Sequence, residues 1–185
     1  MEERNVLLRK NLDTLHWAEC SGAVCLCLGL IQFVDRIAAV IAIVVELLCF
    51  VAVYRLRKVH EDYRAAFKLI LIQIPLVLIA DLMGGRTEAL IDLVNSGISF
   101  AQMYFIIRAT NQMLLTRERA DIAQKGNKTV WFFGINVVVN AAAGFAAVVI
   151  GVSGVTAVLL TASLIMAIAA VVVYIRYLGA AKNCF

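Results

Sequence analysis

The stretch AVIAIVVELLCFVAVY, residues 39–54, decides the class of this protein. It has the apolar length of a membrane helix, because a hydrocarbon layer about 30 Å thick needs about 20 mostly apolar residues per helix. One carboxylate, Glu46, stands near its midpoint, ten residues from Arg36 and nine from Arg55. At about 1.5 Å of rise per residue, Glu46 is predicted to lie near the centre of the bilayer.

The composition of the whole chain agrees with a membrane environment. Of its 185 residues, 63% are hydrophobic and 16% are charged, and the mean hydropathy is +0.89. A soluble core could not enclose this much apolar surface. The five cysteines form no C-x-x-C pair, so neither a disulfide framework nor a zinc site is predicted.

Six apolar runs predict an all-α, polytopic membrane helix bundle that forms one domain over residues 1–185. The predicted transmembrane helices are, in chain order, about 18–34, 37–54, 65–81, 89–107, 129–151 and 154–176. Very short connections, at Asp35-Arg36 and at 151–154, divide two long apolar runs, and each predicts a tight helical hairpin. Each even-numbered helix ends with a tyrosine and then an arginine. This leaves open whether the bundle is three repeated hairpins or an ordinary aromatic belt.

The distribution of lysine and arginine predicts the orientation of the bundle. Fifteen of the 17 lie before the first helix, after the last, or in the second-to-third and fourth-to-fifth connections, and the other two are Arg36 and Arg86. Because cytoplasmic loops carry the excess of basic residues, both termini are predicted to be cytoplasmic. In this orientation the basic residues lie beside the lipid headgroups of the cell membrane. The positive charge therefore does not indicate nucleic acid as a partner.

Polar side chains recur at the same predicted depth in most of the helices. The candidate site residues are Glu46, Gln73, Asn95, Ser99, Gln102 and Asn140, with Ser163 and Cys27 at the same level. Two interpretations remain open: a midplane site for a proton, a cation or a small polar solute, or hydrogen bonds that join the helices. An intramembrane carboxylate such as Glu46 favours the first interpretation.

The residues around Glu46 predict the direction in which its side chain points. Ala39, Ala42, Glu46 and Cys49 recur at steps of three and four, which places small residues along one face of the helix. Small residues in membrane helices are typical of helix contacts. Glu46 is therefore predicted to face another helix of the bundle.

The fourth-to-fifth connection, RATNQMLLTRERADIAQKGNK (108–128), is rich in helix formers and ends at Gly126-Asn127. These features predict that the fourth helix continues into the cytoplasm and ends at that pair. Its basic residues, Arg117 and Arg119, could dock a protein partner, or the segment could be a solvated extension of the helix.

The motifs of known enzymes are missing from the sequence. Gly151-Val-Ser-Gly154 resembles the G-x-S-G of rhomboid proteases, but the histidines His16 and His60 fall at the opposite predicted end from Ser153. A glycine-rich turn accounts for these four residues. Neither a catalytic residue nor a cofactor or metal site is predicted.

The stretches LCFVAVYRLRKVHEDYRAAFK (48–68) and AQKGNKTVWF (123–132) resemble uncharacterised multi-span membrane proteins of anaerobic Gram-positive bacteria. That resemblance implies a multi-span fold and no particular activity. The polar layer leads to the expectation of a small transporter-like protein that handles an ion or solute. The alternatives are a membrane scaffold or accessory subunit that does not transport, and a substrate-capturing subunit of a larger importer.

Overall fold

A computed structural model describes residues 2–29, 35–83, 85–150 and 154–185, and within them it contains six α-helices and no strand. The helices are α1 (Glu2–Gly29), α2 (Asp35–Leu56), α3 (Glu61–Met83), α4 (Gly85–Leu115), α5 (Ala120–Ile150) and α6 (Gly154–Lys182). The all-α prediction with six helices is confirmed. Pro75 lies inside α3, which continues through it.

The helices form a closed ring. Each helix packs against its neighbours in the sequence, and α6 returns to pack against α1. The contacts are most extensive within the consecutive pairs α1–α2, α3–α4 and α5–α6. This arrangement is that of three helical hairpins set side by side.

The hydrophobic core lies at one end of the ring, where α2, α4 and α6 end and α1, α3 and α5 begin. We call it the basic end, because the lysines and arginines of residues 55–68 and 108–128 lie there. All six helices contribute, with these among the fully enclosed side chains: Leu12, Leu15, Val53, Leu56, Tyr63, Ile107, Leu114, Tyr177 and Leu178. Burial of such side chains stabilises the packing by about 1.5–3 kcal/mol each in water.

Large apolar side chains are exposed around the rest of the ring. Every helix carries at least one: Val24, Ile43, Leu47, Ile72, Val94, Val138, Phe145, Val158 and Ile165 are more than half exposed. In the part of the chain that the structure describes, two segments are long and apolar enough to cross a membrane, Ala120–Ala146 in α5 and Gly154–Lys182 in α6.

The first helix begins well before the predicted transmembrane segment. Residues 2–17 are helical, and Leu8, Leu12 and Leu15 recur at steps of four and three on a single buried face. This amphipathic segment packs into the core beside the last turns of α6. The charged start of the sequence is therefore part of the folded bundle.

The predicted end of the fourth helix at Gly126-Asn127 is wrong. Helix α4 stops at Leu115, a turn follows in which Glu118 has a φ of 58°, and α5 begins at Ala120. Gly126 lies inside α5, where a Cβ atom would come within 2.8 Å of Tyr177 Cε2 and closer still to the amide of Asn111. The glycine thus permits close packing of α4, α5 and α6 and does not end a helix.

Candidate functional site

Two of the predicted polar residues are brought together between α3 and α4. Gln73 Nε2 donates a hydrogen bond to Ser99 Oγ over 2.9 Å. This bond joins the two helices of one hairpin, as polar side chains do between membrane helices, where one bond contributes about 0.6 kcal/mol on average. The arrangement agrees with the structural interpretation for this pair.

A second polar group joins α5 to α6. The hydroxyl of Ser163, which is buried, donates to the amide oxygen of Asn140, and Asn140 Nδ2 lies 3.4 Å from Asn136 Oδ1. The prediction that Ser163 lies at the depth of Asn140 agrees with this contact. Asn140 is thus bonded within its own hairpin, separately from Gln73 and Ser99.

The other two amides of the candidate set lie on α4. Asn95 Oδ1 is buried and has no hydrogen-bond donor within the described residues. Gln102 is half-buried two turns further along the helix. The structure therefore distributes the candidate residues among separate helix pairs and does not gather them around one cavity among the described residues.

The side chain of Glu46 is exposed, and its predicted contact with another helix stays a prediction. The buried face of α2 is formed by Ala52, Val53 and Leu56, with Cys49 half-buried one turn before them. Glu46 lies on the same stripe of α2, three residues before Cys49 and seven before Val53. It still lies within electrostatic reach of Cys49. The side chains of Ala39 and Ala42 lie outside the described residues.

Glu19 is a carboxylate that the sequence analysis missed. It continues the buried face of α1, one turn after Leu15, and is itself half-buried. Cys49 of α2 and Tyr174 of α6 both lie within its electrostatic reach. With other described residues Glu19 forms no hydrogen bond and no ion pair. Its position inside the predicted segment 18–34 was a signal that could have identified it.

A buried hydrogen-bond relay joins α3 to α4 at the basic end. Tyr63 Oη lies 2.8 Å from Thr110 Oγ1, and Thr110 Oγ1 donates to the carbonyl of Ile106 over 2.8 Å. Because the threonine proton is directed at that carbonyl, the tyrosine is the donor to the threonine. Burial raises the pKa of Tyr63, so its hydroxyl keeps its proton at physiological pH.

A second polar relay joins α6, α4 and α5. Tyr177 Oη donates to Asn111 Oδ1 over 2.8 Å, and Asn111 Nδ2 donates to Asn127 Oδ1 over 3.0 Å. Asn111 and Asn127 also line a groove of about 310 Å³ between α4 and α5, whose other walls include Tyr104, Arg108 and Gln124. Arg108 is paired with Asp62, its Nε 3.4 Å from the carboxylate.

An ion pair joins α6 to α1. Lys182 Nζ donates to the carboxylate of Asp13 over 2.6 Å and lies 3.4 Å from His16 Nδ1. Burial and the nearby Lys182 lower the pKa of His16, against a smaller raising effect of Asp13. His16 therefore favours its neutral form in the folded protein.

The two arginines predicted to dock a partner are engaged within the chain. Arg117 Nη1 donates to the carbonyl of Cys184 over 2.7 Å, and its guanidinium lies 4.7 Å from the centroid of the Phe185 ring. Arg119 Nε lies 3.2 Å from a carboxylate oxygen of Asp121 on the surface. Arg119 is exposed and remains accessible to a partner, whereas Arg117 is committed to the C-terminal residues.

Among the described residues, no group of three His, Cys, Asp or Glu side chains could hold a metal ion. Comparison with family models, with curated proteins and with solved structures gives no match.

Proposed function

We propose that this chain is a six-span integral protein of the cell membrane, with its basic end in the cytoplasm. The observation that supports the spans is the exposure of large apolar side chains on all six helices away from that end. In water such a surface would drive aggregation, whereas hydrocarbon solvates it. The distribution of lysine and arginine supports the orientation.

An aromatic belt supports the same placement. Trp17, Tyr54, Tyr104 and Trp131 are exposed, and they come from four different helices close to the basic end. Tryptophan and tyrosine favour the membrane interface, where the ring meets acyl chains and the polar atom meets water. Beyond the belt many of the exposed side chains are basic, among them Arg55, Lys58, Arg64, Arg108, Lys125 and Lys128.

We further propose that the protein handles a small ion or solute, and that Glu19 accepts the proton or cation. The observation that supports this proposal is the position of Glu19 on the inward face of α1, near Cys49 and Tyr174. Glu19 has no basic partner among the described residues. A carboxylate inside the membrane is costly to keep, and such groups mark ion pathways and proton relays. Glu46, Asn95 and Gln102 are proposed to line the path, and the pairs Gln73–Ser99 and Asn140–Ser163 to hold its walls.

The test is a flux assay with the purified protein in sealed vesicles. A pH-sensitive dye inside the vesicles reports proton movement driven by gradients of Na⁺, K⁺ or small polar solutes. Glu19→Gln should remove the coupled proton movement, because the amide cannot take up a proton. Glu61→Gln, at an exposed position of the basic end, is the matched control and should retain it. Equal flux in wild type and Glu19→Gln, both folded, would overturn the assignment.

A subunit that docks partners and does not transport is the second candidate, and the groove between α4 and α5 favours it. This groove opens at the basic end beside the exposed Arg119, and the rigid core lies there too. A scaffold, or a substrate-capturing subunit of an importer, would use this surface. Co-purification of a stoichiometric partner that is lost in Gln124→Ala/Gln112→Ala would support this function, and a monodisperse protein without a partner would count against it.

A further inference from the structure

The connection between α2 and α3 encloses a second groove at the basic end, separate from Glu19 and from the groove of α4 and α5. Its volume is about 480 Å³, and its walls are Arg57, Lys58, Arg64, Phe67, Lys68 and Leu71. Four of these six residues are basic, and they come from the connection after α2 and the first turns of α3. We call this the α2–α3 groove.

Among the described residues, none of the four cations of the α2–α3 groove forms an ion pair with a carboxylate. The ion pairs formed within the described residues involve other basic residues: His60, Arg108, Arg119 and Lys182. Of the two acidic neighbours, Asp62 is directed to Arg108 and His60, and Glu61 forms no ion pair with the groove cations. The α2–α3 groove is therefore a concentration of uncompensated positive charge, which attracts an anion.

One cation of the groove is fixed in place by aromatic rings. The guanidinium carbon of Arg57 lies 3.9 Å from the centroid of the Tyr54 ring and 5.2 Å from that of Phe67. These cation–π contacts hold the side chain without using its hydrogen-bond donors. The planar group remains able to bind two oxygens of a phosphate at once.

The apolar side of the α2–α3 groove distinguishes a lipid from a soluble anion. Leu71 lies in its wall and is exposed, and the exposed apolar surface of α3 continues through Ile72 and Ile74 away from the basic end. A ligand with a phosphate at the groove could thus lay a hydrocarbon chain along α3. Tyr54, which belongs to the aromatic belt, lies beside the groove.

We propose that the α2–α3 groove binds the headgroup of an anionic phospholipid, with the phosphate among Arg57, Lys58, Arg64 and Lys68 and an acyl chain along Leu71. The inference rests on the proposed placement in the membrane. Clusters of lysine and arginine just cytoplasmic of membrane helices attract anionic lipid by about 1 kcal/mol per residue. The groove combines four cations that form no ion pair, an arginine held by aromatic rings, and the exposed apolar surface of α3.

The experiment measures lipid binding to the full chain purified in a neutral detergent. Phosphatidylglycerol, phosphatidylcholine and inorganic phosphate are added separately, and bound lipid is counted by native mass spectrometry while thermal unfolding is recorded. Phosphatidylglycerol should bind and raise the melting temperature, and the other two should have little effect, because one lacks net charge and the other lacks acyl chains.

The variants use exposed positions, so that folding is preserved. Lys58→Gln/Arg64→Gln/Lys68→Gln should weaken phosphatidylglycerol binding by at least about tenfold, since three near-surface cations are removed. The control Lys125→Gln/Lys128→Gln/Arg176→Gln removes three equally exposed cations outside the groove and should bind like the wild type. The proposal is overturned if both triple variants lose binding equally, if phosphatidylcholine binds as well, or if inorganic phosphate stabilises as strongly.

The membrane placement is tested separately, by extracting cell membranes with alkaline carbonate. A protein released by carbonate would contradict the integral membrane proposal. A protein that stays in the membrane but binds phosphatidylglycerol equally well as wild type and as the groove triple variant would contradict the lipid site alone.

Discussion

The hydroxyl of Tyr63 on α3 lies 2.8 Å from Oγ1 of Thr110 on α4, and both side chains are completely enclosed. The relay ends on the carbonyl of Ile106, which accepts from Thr110. A polar group buried in this way is stabilising while every member is bonded, and it is costly as soon as one is removed. The basic end of the ring is therefore sensitive to single polar atoms.

Tyr63→Phe tests this relay. The substitution keeps the ring and removes one hydroxyl, so we expect the free energy of unfolding to fall by about 1 kcal/mol, the usual contribution of a buried hydrogen bond. Tyr104→Phe is the control, because the Tyr104 side chain is exposed. Thermal unfolding in detergent measures both. Equal stabilities of the two variants would mean that the Tyr63 bond contributes nothing.

Gly126→Ala tests the close approach of three helices. The added Cβ would meet Tyr177 Cε2 at 2.8 Å and would lie against the Asn111 amide. We expect a loss of about 1–3 kcal/mol from overpacking, partly offset by the better helix propensity of alanine. Gly144→Ala, in the same helix, meets no atom within 4 Å and should be neutral or stabilising. A stable Gly126→Ala variant would contradict the packing of Asn111 and Tyr177 on α5.

The cluster of Asp13, His16 and Lys182 predicts a pH dependence. Because the pKa of His16 is lowered on folding, the unfolded chain binds a proton more readily below the ordinary histidine value of about 6.5. Stability should therefore fall as the pH decreases from 7 through 6.5 towards the folded pKa. His16→Gln should flatten that part of the stability profile, whereas a slope that persists unchanged would assign it to another group.

Lys182→Met is a second test of the cluster formed by Asp13, His16 and Lys182. Removal of the lysine charge takes away one of the two causes of the lowered His16 pKa and leaves burial as the other. The acid-induced loss of stability should become smaller than in the wild type without disappearing. A loss as steep as in the wild type, or steeper, would contradict the contribution of Lys182 to the lowered pKa of His16.

The orientation of the bundle can be checked by labelling single cysteines in a cysteine-free variant. Lys125→Cys lies at the exposed surface of the basic end, and Arg86 falls in a connection assigned by sequence to the opposite side. A maleimide that cannot cross membranes should modify Arg86→Cys in intact cells and Lys125→Cys after the membrane is opened. The reverse pattern would invert the proposed topology.

Periodicity and composition were sufficient to predict the helices. Six apolar runs, separated by charged or glycine-containing connections, correspond to the six helices of the structure. They could be predicted because the apolar pattern of a long helix lies in one continuous stretch of sequence. The end of the fourth helix was mispredicted at Gly126, since a glycine that ends a helix and one that admits a neighbouring helix look alike in sequence. The distinction depends on Asn111 and Tyr177, which are distant along the chain.

The candidate site was predictable in part. Counting residues along each predicted helix placed Gln73 at the same depth in the bilayer as Ser99, and Asn140 at the same depth as Ser163. Each of these pairs forms a hydrogen bond. The stripe that carries Glu46 continues through Cys49 into Val53 and Leu56 of the buried face, but the exposure of Glu46 itself could not be predicted from that stripe. How closely each turn of a helix is packed depends on the whole ring, and one helix does not contain that information.

The position of the core has a consequence for biosynthesis. All six helices contribute to it, from Leu8 and Leu12 near the beginning of the chain to Leu178 and Ala181 near its end. Helix α1 therefore has all of its packing partners only after α6 has left the ribosome. In the proposed orientation, the basic end therefore stays incomplete, on the side of the membrane where synthesis takes place, until α6 is made.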